Sequence, residues 1–140
     1  MKRILFAIAL IVGIMPSLVF AQEPQNNLGK NYSHLSQKFP GLKYWCESSE
    51  GTMYKYGDEM LFIFKDGRLV SENMYVEGPG DYPLDWYNAM VAAFRKTNYR
   101  HIIEGDHSVI FIYSTIQIHI MYNRTQNSSS ISYDYLPNYK

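Results

Sequence analysis

Asp66-Gly67 stands between two runs of alternating apolar residues, EMLFIFK and RLVSENMYVE. Asp and Gly both tolerate the positive φ of a two-residue hairpin loop, so this stretch predicts two antiparallel strands in tight connection. The same pattern recurs along the chain. Glu50-Gly51 separates Leu42–Ser48 from Thr52–Tyr56, and Gly57-Asp58 leads into EMLFIFK. Further on, Gly105-Asp106 separates NYRHIIE from HSVIFIY, and Ser114-Thr115 precedes IQIHIMY. A polar loop, NRTQNSSS, leads to a last strand, ISYDYL. A chain punctuated this way folds as an antiparallel sheet.

Two segments have the other period. Tyr32, Leu35 and Phe39 recur at helical spacing, and Pro40-Gly41 stops the pattern, which predicts a helix over Leu28–Phe39. In the second half Asp81 or Asp85 can cap a helix with Pro83 and Leu84 in its first turn. Trp86, Met90, Val91 and Phe94 form its apolar stripe. The two segments, YSHLSQKF and YNAMVAAF, share Tyr, a large apolar residue and Phe at equal spacing, and each half carries a Glu-Gly pair read as a turn. GPGDYP divides the halves. The expected architecture is α+β, an antiparallel sheet with two helices on one face. Each half, 28–78 and 81–136, reads as a helix plus four strands. Tandem duplication and convergent selection of large residues both account for the shared spacing.

MKRILFAIALIVGIMPSLVFAQ opens the chain. A basic start, an apolar run and small residues at Val19 and Ala21 describe a secretory signal over 1–21, cut after Ala21. The run is shorter than the ~20 residues of a membrane span. Residues 22–140 then form a single domain in a secreted or periplasmic compartment, with no stable membrane anchor. The full chain carries 13 basic and 13 acidic residues. Loss of Lys2 and Arg3 tips the balance to the acidic side, and no basic run exists, so nucleic acid is not an expected partner. Cys46 stands alone, as a small apolar strand residue. The thirteen tyrosines suit strands and binding surfaces alike.

Residues with chemical potential are few. HIIEGDH brings His101, Glu104, Asp106 and His107 close together in sequence. A two-residue turn at Gly105-Asp106 would set Glu104 across from His107, either as a metal or acid–base pair or as a solvated hairpin tip. A turn at Ser114-Thr115 places Val109, Phe111, Tyr113, Ile116, Ile118 and Ile120 on one apolar face. Ile110, Ile112, Gln117, His119 and Met121 fall on the other, mixed face. In the first half Phe62, Phe64 and Leu69 share one face, with Ile63, Val70, Lys65 and Arg68 on the other. Asp58, Glu59, Asp81 and Asp85 sit where turns and helix starts want acids for backbone reasons. No nucleophile, metal or phosphate-loop motif occurs, so no catalytic residue, metal or cofactor is expected. Sequons at Asn31, Asn123 and Asn127 matter only in a eukaryotic secretory path.

The leader, the FPGLKYW after the first helix and the doubled helix-plus-four-strands order resemble a group of small secreted bacterial proteins, the PepSY-like and beta-lactamase-inhibitor-like proteins of Bacteroidetes type. The resemblance implies a helix-backed sheet whose free face binds another protein. The expected function is therefore a non-enzymatic protein-binding domain: an inhibitor, an immunity-type protein or an envelope-assembly component. Tyr54, Tyr56, Ile112, Gln117, His119 and Met121 are the candidate contact residues. The alternatives are a small hydrolase or metal-dependent enzyme centred on His101, Glu104 and His107, and a homodimer.

Overall fold

A computed structural model describes residues 27–136. The secretory leader expected at 1–21 lies outside the described residues. Helix α1 (Tyr32–Lys38) precedes strands β1 (Lys43–Ser48), β2 (Gly51–Tyr56), β3 (Met60–Lys65) and β4 (Arg68–Glu77). Helix α2 (Tyr82–Phe94) precedes β5 (His101–Gly105), β6 (Ser108–Ile112), β7 (Ile116–Asn123) and β8 (Ser128–Tyr135). The eight strands form one sheet in the order β1-β2-β3-β4-β8-β7-β6-β5. Each half is a four-stranded meander, and the last strands of the two halves meet antiparallel at the centre. The fold is α+β.

Both helices cover the same face. Leu35 of α1 and Trp86, Met90 and Phe94 of α2 belong to one apolar cluster with Phe62, Phe64, Leu69, Phe111, Ile118, Ile120 and Ile131 of the sheet. The alternation expected for β6 and β7 places Val109, Phe111, Ile116, Ile118 and Ile120 in this core, and Tyr113 packs against it.

Several boundaries differ from the sequence reading, each for a local reason. α1 begins at Tyr32 because the Asn31 side chain accepts the His34 N–H at 2.9 Å and caps it. Before the cap, Gly29 and Lys30 trade backbone hydrogen bonds of 2.8 Å with Leu69, so this stretch lies along β4. β8 begins at Ser128, inside the expected loop, because Ser129 is buried beneath α2 and donates to the Pro83 carbonyl at 2.5 Å.

The turns carry a larger correction. Asp66-Gly67 forms the expected tight hairpin, with φ of 52° and 76°, the left-handed pair of a type I′ turn. The two Glu-Gly pairs do not form equivalent turns. Ser48 pairs with Gly51, so Gly51 opens β2. Gly105 closes β5 and pairs with Ser108, so Asp106 and His107 make the turn, with His107 at φ 52°.

Two irregularities shift the register in the first half. One lies at Trp45, between Tyr44 and Cys46 on β1. The other leaves Val70 as the extra residue on β4, where Ile63 pairs with Ser71 and Phe64 with Leu69. The Val70 bulge reverses the parity of β4: Leu69 shares the core face with Phe64, and beyond the bulge Glu72 rather than Ser71 stands opposite Phe62.

Candidate site on the helix-free sheet face

The face away from the helices follows from the registers. One row across the sheet reads Met53, Ile63, Ser71, Asp134, Gln117, Ile112 and His101. The next reads Leu61, Asn73, Ser132, His119, Ile110 and Ile103. A third carries Tyr75, Ser130, Met121 and Ser108.

The centre of this face is polar and internally bonded. Ser71 Oγ donates to Asp134 Oδ1 at 2.6 Å, and Ser132 Oγ donates to Asp134 Oδ2 at 3.0 Å. Asn73 Nδ2 donates to Ser71 Oγ at 3.0 Å. His119 Nε2 lies 2.7 Å from Ser108 Oγ. Partial burial pushes the His119 imidazole below its ordinary pKa, against the pull of the Asp134 carboxylate. A neutral ring is thus favoured, and it can accept the Ser108 hydroxyl proton. Large apolar residues surround this centre: Tyr75 is 43% exposed, Met121 40% and Ile103 48%. At the β1 end Trp45 is half exposed, with the Lys55 ammonium 3.9 Å from its ring centroid. That edge borders a cleft of about 550 Å³ lined by Lys43, Trp45, Lys55, Gly57 and Asp58.

The expected contact residues do not all share this face. Gln117, His119 and Met121 do. Ile112 lies on it but is buried among its neighbours. Tyr54 and Tyr56 lie on the opposite, helix-bearing face, which corrects their grouping with the other four. Tyr54 pairs with Tyr44 and the core residue Phe62, and its ring lies 4.7 Å from Tyr32 of α1. Tyr56 meets Phe39 at 5.4 Å. Tyr75, Ile103, Asp134 and Ser132 were not singled out from the sequence. The alternation in RLVSENMY and SISYDY carries the signal for Tyr75, Ser132 and Asp134 once β4 and β8 are known to pair.

Of the HIIEGDH residues, Asp106 and His107 stay together, with Asp106 Oδ1 3.5 Å from His107 Nε2, while Glu104 and His101 are drawn away. Because the turn is Asp106-His107, Glu104 pairs with Val109 rather than facing His107. Glu104 makes an ion pair with Arg95 at the end of α2. His107 lies between Tyr87 and Tyr122, with ring centroids at 6.0 and 5.4 Å, and takes a hydrogen bond from Arg124. His101 lies exposed on the helix-free side. Among the described residues no group of three or more His, Cys, Asp or Glu side chains is placed to hold a metal ion. Among the same residues no helix is long and apolar enough to cross a membrane.

One buried charge lies on the helix side. Glu72 is 7% exposed between Phe62 and Tyr133 in the inner row. Asn27 Nδ2 donates to its carboxylate at 3.2 Å, and Lys38 donates to the Asn27 oxygen at 3.0 Å. Burial raises the Glu72 pKa, with Asn27 and Lys38 opposing it. Burial likewise raises the Tyr133 hydroxyl, with a further push from Glu72.

No protein-family model, curated protein or solved structure matches the chain. The fold and the face define an α+β protein with an eight-stranded antiparallel sheet, helices on one side and a mixed surface on the other.

Proposed function

We propose that this protein is a secreted or periplasmic, non-enzymatic binding domain that meets a protein partner with its helix-free sheet face. One observation carries the proposal: Tyr75, Ile103 and Met121 stand exposed on that face around a hydrogen-bonded polar centre. Aromatic and Met side chains beside satisfied polar groups are the composition of a contact patch. Because Ser71, Asn73, Ser132 and Asp134 already bond one another, their oxygens need little reorganisation to meet a partner. The N-terminal leader pattern supports the compartment. The likeness to the beta-lactamase-inhibitor-like group belongs to the same proposal, since it too implies a helix-backed sheet with a binding face.

The test is affinity capture with residues 22–140 from envelope and secreted fractions of the source cell, beside the variant Tyr75→Asp with Met121→Asp. The expected result is a partner held by the wild type and lost by a variant that melts within a few degrees of it. A partner held equally by both proteins refutes this face as the contact surface.

A further inference from the structure

β1 and β2 bring two ammonium groups and two exposed aromatic rings to one margin of the sheet. Lys43 stands directly opposite Lys55, and both are exposed. Like charges facing each other across two strands cost stability. Among the described residues neither lysine forms an ion pair. Trp45 lies at the β1 bulge, where the extra residue breaks the ladder. Its ring is 50% exposed, with the Lys55 ammonium 3.9 Å from the centroid. Tyr44 is 59% exposed and is braced edge-on by the Tyr54 ring. These four residues line the cleft of about 550 Å³ together with Gly57 and Asp58. Its volume falls within the ~300–1,000 Å³ of small-molecule sites.

A bulge and lysines keep an edge strand from pairing with another chain. That role explains Lys43 and the bulge. It does not explain a half-exposed tryptophan, which adds apolar surface to the edge that the other devices protect.

We infer that this cleft binds an anionic saccharide. The Trp45 ring offers a flat, electron-rich face to the C–H face of a pyranose. Lys43 and Lys55 donate charge-assisted hydrogen bonds to its carboxylate or sulfate, which relieves their mutual repulsion. The contact between Lys55 and Trp45 is weak at an exposed site, so a sugar displaces the ammonium from the ring and takes it up on its own charge. Asp58 accepts from ring hydroxyls, whereas it repels a bare anion.

Other ligand classes fit the cleft less well. A peptide strand adding to β1 needs a regular ladder, and the bulge interrupts it. A nucleotide's phosphates are typically held at a helix N-terminus or a glycine-rich loop, and no helix residue lines the cleft. A neutral sugar leaves the two lysines uncompensated. The cleft lies at the margin of the sheet, away from Tyr75, Met121 and Ile103. The inference therefore does not rest on the proposed protein partner, and its failure leaves that reading standing.

The experiment titrates residues 22–140 with trigalacturonate and with a sulfated chondroitin disaccharide, followed by calorimetry and tryptophan fluorescence. The chain has two tryptophans and Trp86 is fully buried, so a change in emission reports Trp45. Maltotriose is the neutral control and triglutamate the acidic control without a sugar ring. The expected result is saturable binding of at least one anionic saccharide, with a change in Trp45 emission. Both controls should bind at least tenfold more weakly. Trp45→Ala should abolish the calorimetric signal, and Lys43→Gln with Lys55→Gln should weaken it at least tenfold, each with an unchanged circular dichroism spectrum. Absence of saturable binding at millimolar saccharide overturns the inference. So does equal binding of maltotriose or triglutamate by the wild type, a result that needs no variant to fold.

Discussion

Glu72→Gln removes a charge from beneath α1 while keeping the side chain's size and one acceptor oxygen for Asn27. Burial holds the Glu72 carboxyl above the ordinary carboxylate range. The folded chain therefore keeps this proton at pH values where the unfolded chain has lost it. Between the two pKa values the folded state binds more protons, so its stability falls as pH rises, with a limiting slope of about 1.4 kcal/mol per pH unit. Above the folded value the penalty is complete and constant; below the unfolded value it vanishes. The glutamine never pays it. The new amide brings donors without a waiting acceptor, a cost of about 1 kcal/mol that is the same at every pH. The diagnostic is therefore how the difference between wild type and variant changes with pH, not its offset. Urea unfolding from about pH 4 to about pH 8 should show the variant gaining on the wild type as pH rises, each 1 kcal/mol appearing as about 4 °C in a parallel melt. A difference independent of pH, or one that moves against the variant as pH rises, would refute the buried-carboxylate argument.

Gly51→Ala tests the backbone at the start of β2. Its φ is +142°, and an added Cβ would lie 2.2 Å from the Phe64 carbonyl oxygen, which is backbone and cannot swing aside. A loss of about 2–4 kcal/mol in thermal or urea unfolding is expected, and a loss below about 0.5 kcal/mol would contradict the close approach. His119 should titrate by NMR below the ordinary histidine value of about 6.5, because burial disfavours its charged form. Asp134→Asn should lower it further. A midpoint at or above the ordinary value would remove the neutral ring from the Ser108 pair.

The second half was the more legible in sequence. Val109, Phe111, Ile116, Ile118 and Ile120 alternate without interruption, and Ser114-Thr115 turns without a bulge. Counting by twos therefore identifies the buried face. The first half contains two register shifts, and Tyr54 and Tyr56, expected on the free face, lie on the helix-bearing one. Tyrosine is amphipathic, so its identity does not say whether its ring faces helix or solvent. Only the pairing of Tyr54 with Phe62 decides that. Glu72 was missed because a charged residue in a strand reads as exposed. Its parity with Met74 and Val76 pointed inward, and Asn27 and Lys38 supply the partners that parity alone cannot show.

Sequence alone determined the class: antiparallel strands, two helices and one apolar face, because turn chemistry and side-chain period act within a few residues. Tertiary structure decided what depends on distant partners. It moved the hairpin turn to Asp106-His107, which separates Glu104 from His107, and it joined the halves through β4 and β8. That central pairing brings Ser71, Asn73, Ser132 and Asp134 into one network, although β4 and β8 lie far apart in the chain. The reason is the two-residue period of a strand. A slip of one residue at a turn sends every following side chain to the other face, and only packing against the rest of the sheet selects between the two outcomes.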